Sequence, residues 1–403
     1  MKILCINTGS ATIKFDVVET SKVPGDGAPN KVVSGLVGPI GANEATLEVS
    51  VNGTERDVET VSAVDYREVA RMVIRRVNDD FMKGYGSIDA VGHRVVHGGM
   101  QFPGPVRLDD AVISVIEDLV DLAPLHNQPA LEAIYAARDE LSDAIPMAAV
   151  FDTAFHRTMP RVASEYAIPR DLTDRHGIHR YGFHGLAHRS MVRRYEALSG
   201  NSASHVRLIT LQLGGGCSAA AIRNGHSVDT SMGLTPLEGM VMGSRSGDVD
   251  PSLPGFLARR ESISIDTVEE WLNKKSGLLG LSGISSDMRA LPGAARKGNQ
   301  NAAFAIDMFC YRARKYVGAY LAVLGGADAI VFGGGVGGNV PDVRSRICDG
   351  MEWCGLQLDG SRNDAATNGS EGRISASSSV LEAYVAKVDE TGLIAEETAL
   401  LLA

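Results

Sequence analysis

Two stretches about two hundred residues apart share one pattern, and together they restrict the folds open to this chain. Ile3 to Asn7 is an apolar run that stops at Thr8-Gly9-Ser10, after which Ile13, Phe15 and Val17 alternate with Lys14 and Asp16. Leu208 to Leu213 is again largely apolar, Gly214-Gly215-Gly216-Cys217-Ser218 makes a turn, and Ala219 to Ile222 continues to Asn224-Gly225. Apolar runs with a period near two, broken by glycine and small hydroxylated residues, read as strand, turn, strand. On the pattern alone two readings stand. Either these are two unrelated hairpins, or the fold is duplicated, each half a mixed sheet flanked by helices with ligand held between them.

At 403 residues the chain is long enough for two domains of ordinary size. With 44% hydrophobic and 22% charged residues it has a soluble globular balance. Its formal charge of −10 argues against a nucleic-acid partner, which would call for a basic face. An anionic substrate would need arginines clustered locally against that field. Cys5, Cys217, Cys310, Cys348 and Cys354 have no metal-like spacing and read as reduced thiols of a cytoplasmic protein. No signal peptide is read at Met1-Lys2, and no run approaches the ~18 apolar residues of a membrane span.

Between the two units, Asp65 to Asn78 is an amphipathic helix with Val69, Met72, Val73 and Val77 on one face, and Ala130 to Leu141 forms a helix after Pro129. Ile145 to Phe151 is a buried strand ending at Asp152. Ala302 to Leu324 is a long helix closed by Gly325-Gly326, Ala329 to Phe332 a further buried strand, and Glu390 to Leu402 a final helix. Residues 360 to 379 read as a polar surface loop. The domain boundary falls near Asp152, giving 1–152 and 153–389, with the last helix, 390–403, open to returning to the first domain.

The chemistry-bearing residues sit at turns. Asn7, Ser10, Thr12 and Lys14 surround a tight turn that can cradle phosphate, although Gly-Ser turns are common and no GxxxxGK[ST] occurs. Arg94 lies between His93 and His97 beside Gly98-Gly99, and its planar fork can grip a carboxylate or phosphate; His93 reads as structural. Asp152, at the carboxyl end of a strand, can cap a helix or hold Mg2+. His184 and His188 have the i, i+4 spacing of a zinc pair but lack a third ligand. His126 is a weaker histidine candidate. Gly333, Gly335 and Gly338 fit GxGxxG with Asp359 downstream, but about sixty residues remain after them, too few for a full dinucleotide fold. Finally, Val228 to Pro251 packs Gly, Pro, Asp, Ser and Thr around Arg245 with no helix or strand period, and long irregular segments of this kind usually carry function.

That last segment, with DTSMGLTPLEG and GSRSGDVDP, closely resembles the acetate kinase signature. NKKSGLLGLSG, GHRVVHGG, the NTGSATIK opening and RYGFHG extend the resemblance nearly end to end. It implies a duplicated actin-like (ribonuclease H-like) α/β fold of two domains with a cleft between them, the second carrying the nucleotide loops. It implies reversible phosphoryl transfer between ATP and acetate, giving acetyl phosphate and ADP, in a homodimer. By resemblance Arg94, Asp152, His184 and Arg245 are catalytic, and Arg94 also binds substrate. Ser10, Thr12, Lys14, Gly214, Gly215, Gly216, Gly333, Gly334, Gly335 and Gly337 bind phosphate or nucleotide. Asn7 and Glu390 hold Mg2+, or alternatively Mn2+. Three departures touch the donor side. HLGNG is here Gln212 to Gly216, GGIGEN has Gly338 in place of its glutamate, and TNEE is here Val388-Asp389-Glu390-Thr391. They leave open a pyrophosphate or other donor, and propionate or another short carboxylate as acceptor.

Overall fold

The first sheet grows outward from the amino-terminal strand of a computed structural model that describes residues 1–9, 11–20, 30–54 and 57–403. β1 (Lys2–Thr8) and β2 (Ile13–Glu19) form the expected hairpin. β3 (Asn30–Gly38), β4 (Ala42–Val51) and β5 (Asp57–Ala63) continue it as an antiparallel meander. On the other side of β1, β6 (Ala90–Val95) and β8 (Met147–Phe151) run parallel to it, and the short β7 (Val106–Arg107) closes the edge, giving the order β5-β4-β3-β2-β1-β6-β8-β7. β1, β6 and β8 are almost wholly buried, as parallel strands covered on both faces must be.

This sheet belongs to one of two compact units, formed by Met1–Phe155 and Asp389–Ala403. Its Tyr66–Arg76 helix starts where Asp65 accepts a hydrogen bond from the Glu68 amide, and it buries Val69, Ala70, Val73 and Ile74. The last helix, Glu390–Leu402, packs on β1, β6 and β8. It can approach because β6 carries Gly92, where a Cβ would lie 2.5 Å from Thr398 Oγ1 and 2.6 Å from Ile394 Cγ2.

The second unit, His156–Val388, repeats the plan. β9 (Arg207–Leu213), β10 (Cys217–Arg223) and β11 (His226–Thr230) form an antiparallel meander. β12 (Ala329–Gly333) and β14 (Glu382–Val385) run parallel to β9, and β13 (Gly372–Arg373) lies at the edge. The order β11-β10-β9-β12-β14 matches β3-β2-β1-β6-β8 in position and in strand sense. Duplication of one mixed α/β unit is therefore the reading that holds. The Gln300–Leu324 helix begins at Asn299, whose side chain accepts from the Ala302 amide, and ends at Gly325 with φ 69°. There the Gly326 amide returns to the Leu321 carbonyl, a glycine stop that satisfies the last carbonyls. Among the described residues no helix is long and apolar enough to cross a membrane.

Three sequence expectations change. The helix expected after Pro129 begins earlier, spanning Pro124–Glu140 with Pro129 inside it. Pro124 supplies a preset φ at the first turn, and burial of Asn127, Ala130, Leu131 and Ile134 outweighs the hydrogen bond that Pro129 cannot make. The polar stretch 360–379 contains a Gly360–Ala365 helix capped by Asp359 and the edge strand β13. Its anchor is the fully buried Arg344, which donates to Asn363 Oδ1 and to the Asn363 and Ala366 carbonyls, so polarity there marks an internal network. GGVGGN, read as a loop, is a one-and-a-half-turn helix, Gly334–Asn339.

Candidate active site

In the first unit four side chains from separate parts of the chain meet. Asn7 stands near the end of β1, Arg94 near the end of β6, Asp152 just past β8, and Glu390 opens the last helix. Ligand sites of open α/β sheets lie at such carboxyl ends. Arg94 Nη1 donates to Asn7 Oδ1 at 2.7 Å, its Nε donates to Asp152 Oδ2 at 3.1 Å, and its Nη2 also donates to that carboxylate. Asn7 Nδ2 donates in turn to Glu390 Oε2 at 2.9 Å. Burial alone would lower the Arg94 pKa, but the charges of Asp152 and Glu390 reverse that and raise it, so the guanidinium stays charged.

Asp152 Oδ1 is buried and has no hydrogen-bond partner among the described residues. An orphaned carboxylate oxygen of this kind is costly unless a cation or donor reaches it. Together with Glu390 it fits Mg2+, which takes one or two carboxylates and keeps waters and phosphate oxygens for the rest. Among the described residues no group of three His, Cys, Asp or Glu is placed to enclose a metal. Asn7 turns its oxygen to Arg94 and its amide to Glu390.

The amino-terminal turn is partly closed on itself. The Gly9 amide donates to the Thr12 carbonyl at 2.8 Å, and Tyr66 Oη donates to the Gly9 carbonyl at 2.8 Å. Ser10 lies outside the described residues. Lys14 is within electrostatic reach of Asp389, which caps the last helix. A network missed by sequence reasoning holds that cap. Lys31 Nζ bonds Asp16 Oδ2 at 2.8 Å, Asp389 Oδ1 at 2.7 Å and Thr391 Oγ1 at 2.9 Å, and Thr391 also donates to Asp16. His93 is buried and held neutral, its pKa pushed down to about 3 by burial, in keeping with a structural residue.

In the second unit the glycine turn between β9 and β10 is flanked by an imidazole and a guanidinium. A Cβ built on Gly216 would lie 3.3 Å from His184 Cε1 and Nε2 and 3.5 Å from Arg245 Nη1. His184 precedes the Gly185–Ser199 helix in the left-handed region, at φ 58°, a conformation uncommon outside glycine and asparagine and worth attention at a site. Its Nδ1 contacts Ser218 Oγ at 2.8 Å. Arg245 belongs to the irregular segment, which is pinned at several points. The Gly243 amide donates to the Gly215 carbonyl at 2.9 Å, Asp248 Oδ1 accepts from the Gly239 amide at 2.8 Å, and Tyr316 on the long helix donates to Asp248 Oδ2 at 2.7 Å. Burial lowers the Arg245 pKa, and the nearby Cys217 acts in the other direction.

Gly214 and Gly215 also border a cavity of about 770 Å³. Its other walls are Ser286 to Arg289, Gly335, Val336, Asn339 and Asn368. A second cavity, about 290 Å³, is lined on one side by Gly334, Gly335, Gly338 and Asn339. Gly334 has φ 78° and leaves no room for a Cβ, which would meet the Leu213 carbonyl oxygen at 2.4 Å. Gly335 and Gly338 face open space, and Gly333 and Gly337 pack inward toward Met191 and Leu213. Asp287, Met288, Arg289 and Asn368 are thus further candidate ligand contacts, with no sequence signal beyond their place in polar turns.

A family model described as the Acetokinase family matches residues 2–396. The curated "Acetate kinase" of Chloroherpeton thalassium is 42% identical over 409 residues, covering 99% of this chain and 98% of that protein. Among solved structures, an acetate kinase from Porphyromonas gingivalis superposes with a TM-score of 0.90 at 39% identity, covering all of both chains. A propionate kinase from Francisella tularensis superposes at 0.88 with 34% identity over 98% of each.

Proposed function

The chain belongs to the acetokinase family, and on that premise we propose that it catalyses acetate + ATP ⇌ acetyl phosphate + ADP by direct in-line attack. Acetate, with a pKa near that of any carboxylic acid, about 4, is already ionised at neutral pH, so no general base is required. The barrier is the approach of one anion to another, and catalysis reduces to positioning and charge neutralisation. The observation that carries this reading is that His184 Nε2 and Arg245 Nη1 approach the same glycine turn, 3.3 and 3.5 Å from where a Cβ on Gly216 would stand.

In this reading Arg245 and His184 hydrogen-bond the equatorial oxygens of the transferring phosphoryl group. Arg94 binds the acetate carboxylate with the N–H groups left over from Asn7 and Asp152, and that ion pair keeps its fork fixed. Asp152 and Glu390 would hold Mg2+, which would offset charge on the donor phosphates. The glycine turn at 214–216 faces the phosphates. The 770 Å³ cavity, of the size typical for a small-molecule site, takes the nucleoside, with Gly335 allowing close approach. That cavity favours ATP over pyrophosphate, which would leave it empty. A homodimer in the cytoplasm completes the reading and rests on the family resemblance alone.

The test is to trap acyl phosphate with hydroxylamine while varying donor (ATP, GTP, pyrophosphate) and acid (acetate, propionate, butyrate). The proposal expects the largest kcat/KM with ATP and acetate. Donor-independent hydrolysis without acyl phosphate would overturn it, and a preference for propionate would move the assignment to the neighbouring specificity.

A further inference from the structure

Behind His184 lies a line of buried polar groups that the reaction itself does not use. Ser218 Oγ is shared between His184 Nδ1 and His188 Nε2, each at 2.8 Å, and the far side of His188 ends at Thr210, with Nδ1 2.7 Å from Oγ1. Ser218, His188 and Thr210 are all fully buried. His188 lies one helical turn after His184, and Thr210 and Ser218 lie on the adjacent strands β9 and β10, so the line runs from a helix into the sheet. The edge of His156 also packs on His188, 5.6 Å between ring centres.

Each member has a limited set of bonds to give. A neutral imidazole offers one N–H and one lone pair, and a hydroxyl offers one hydrogen. His188 is neutral, since burial foremost, and then the neighbouring His156 and His184, push its pKa well below the usual histidine value. Two orderings run head to tail through the Ser218 hydroxyl, which donates one bond and accepts the other. In one, Thr210 donates to His188 Nδ1, His188 Nε2–H donates to Ser218, and Ser218 donates to His184 Nδ1, so the His184 proton is on Nε2. In the other every bond is reversed, and a neutral His184 would turn a bare lone pair toward the phosphoryl group. Of these two the first suits an anion beside Gly216.

We propose that His188, acting through Ser218 and backed by Thr210, is a positioning residue that fixes the ring and the Nε2–H form of His184. The proposal rests on the reading of His184 as a phosphoryl donor, yet its key observable does not need turnover. The relay gives the i, i+4 histidine pair a role: the second sets the tautomer of the first.

The experiment is 15N NMR of the histidine rings in the full-length protein with inorganic phosphate present, His184 being assigned by its loss in His184→Gln. Wild type should show the Nε2–H form, and Ser218→Ala a mixture of both. His188→Gln, whose amide can donate to Ser218 while its carbonyl accepts from Thr210, should restore the wild-type signal, and His188→Leu should not. In parallel, kcat should fall by about 10-fold in Ser218→Ala and His188→Leu, the scale on which losing an orienting partner weakens a histidine. The acetate KM should stay within about twofold. A wild-type His184 signal in both Ser218→Ala and His188→Leu would overturn the relay. Normal turnover in His184→Ala would instead remove His184 from the reaction and leave the tautomer result standing, so the two failures are distinguishable.

Discussion

At the scale of single residues, the proposed mechanism relies on few charges in surroundings that magnify them. Arg94 is held by Asn7 and Asp152, and Arg245 by the Pro236 carbonyl at 3.1 Å, so on the proposed mechanism neither fork would have to reorganise during transfer. Removing such a preorganised donor usually lowers turnover by about 10²–10³. Arg94→Ala and Arg245→Ala are each expected to lose that much kcat under saturating substrates, with circular dichroism unchanged; near-normal turnover in either would take that arginine out of the mechanism. His184→Ala should lower kcat more than it raises the acetate KM. A change in KM alone would make His184 a binding residue. Arg94, Arg245 and His184 were singled out in the sequence as candidates, because motifs list residue types in order. The pairing of Asn7 with Glu390 was not, since it joins positions 383 residues apart.

At the scale of elements, the last helix is held in place by charge. Lys31 lies between Asp16, which is buried, and Asp389, which caps that helix. Burial works against the ionised Asp389, but Lys31 more than compensates and its folded pKa is depressed. For Lys31 burial is likewise the largest influence and is outweighed, so its folded pKa is raised. A depressed carboxylate contributes stability above its unfolded pKa, about 3.9, that is lost as pH falls through the folded value. A raised lysine contributes below its unfolded pKa, about 10.4, and loses that as pH rises further. The anchor should therefore be intact between about pH 4 and pH 10. Lys31→Met, which leaves Asp16 with an uncompensated buried charge, should destabilise the fold by about 3 kcal/mol at pH 7, read by denaturant melts. That loss should shrink in acid; an equal loss at pH 3 would contradict the account.

The Gly334–Asn339 helix makes a second prediction at this scale. Gly334→Ala should lower Tm, because its φ is positive and its Cβ would strike the Leu213 carbonyl. Gly338→Ala, facing open space in a helix, should leave Tm equal or higher by about 1 kcal/mol of stability. The reverse order of melting temperatures would mean that the backbone here is held differently. This helix, like the one in 360–379, escaped sequence reasoning for a physical reason. Glycine has poor intrinsic propensity, and only tertiary contacts, here β9 and the buried Arg344 with its Gly337 carbonyl partner at 2.8 Å, impose the turn.

At the scale of the whole molecule, two copies of one sheet plan carry different chemistry. The first places an arginine and a carboxylate at its strand ends beside the Glu390 that opens the last helix; the second places a histidine and an arginine beside a glycine turn that borders a cavity of about 770 Å³. The duplication was visible in outline, because strand, glycine turn, strand is a local pattern. The matching order β3-β2-β1-β6-β8 and β11-β10-β9-β12-β14 was not, since β6, β8, β12 and β14 join by parallel pairing across long connections. The cavity walls at Asp287 to Arg289 and Asn368 were equally silent, being polar turn residues until the fold assembles them.

The central claim is that acetate takes the phosphoryl group directly, in a site that supplies charge and position and no nucleophile of its own. The stereochemical course at phosphorus tests it most directly, using ATP made chiral at the γ-phosphoryl with three oxygen isotopes and analysing the acetyl phosphate formed. One in-line displacement predicts inversion of configuration. Retention would require two displacements through a phosphorylated side chain and would contradict the account.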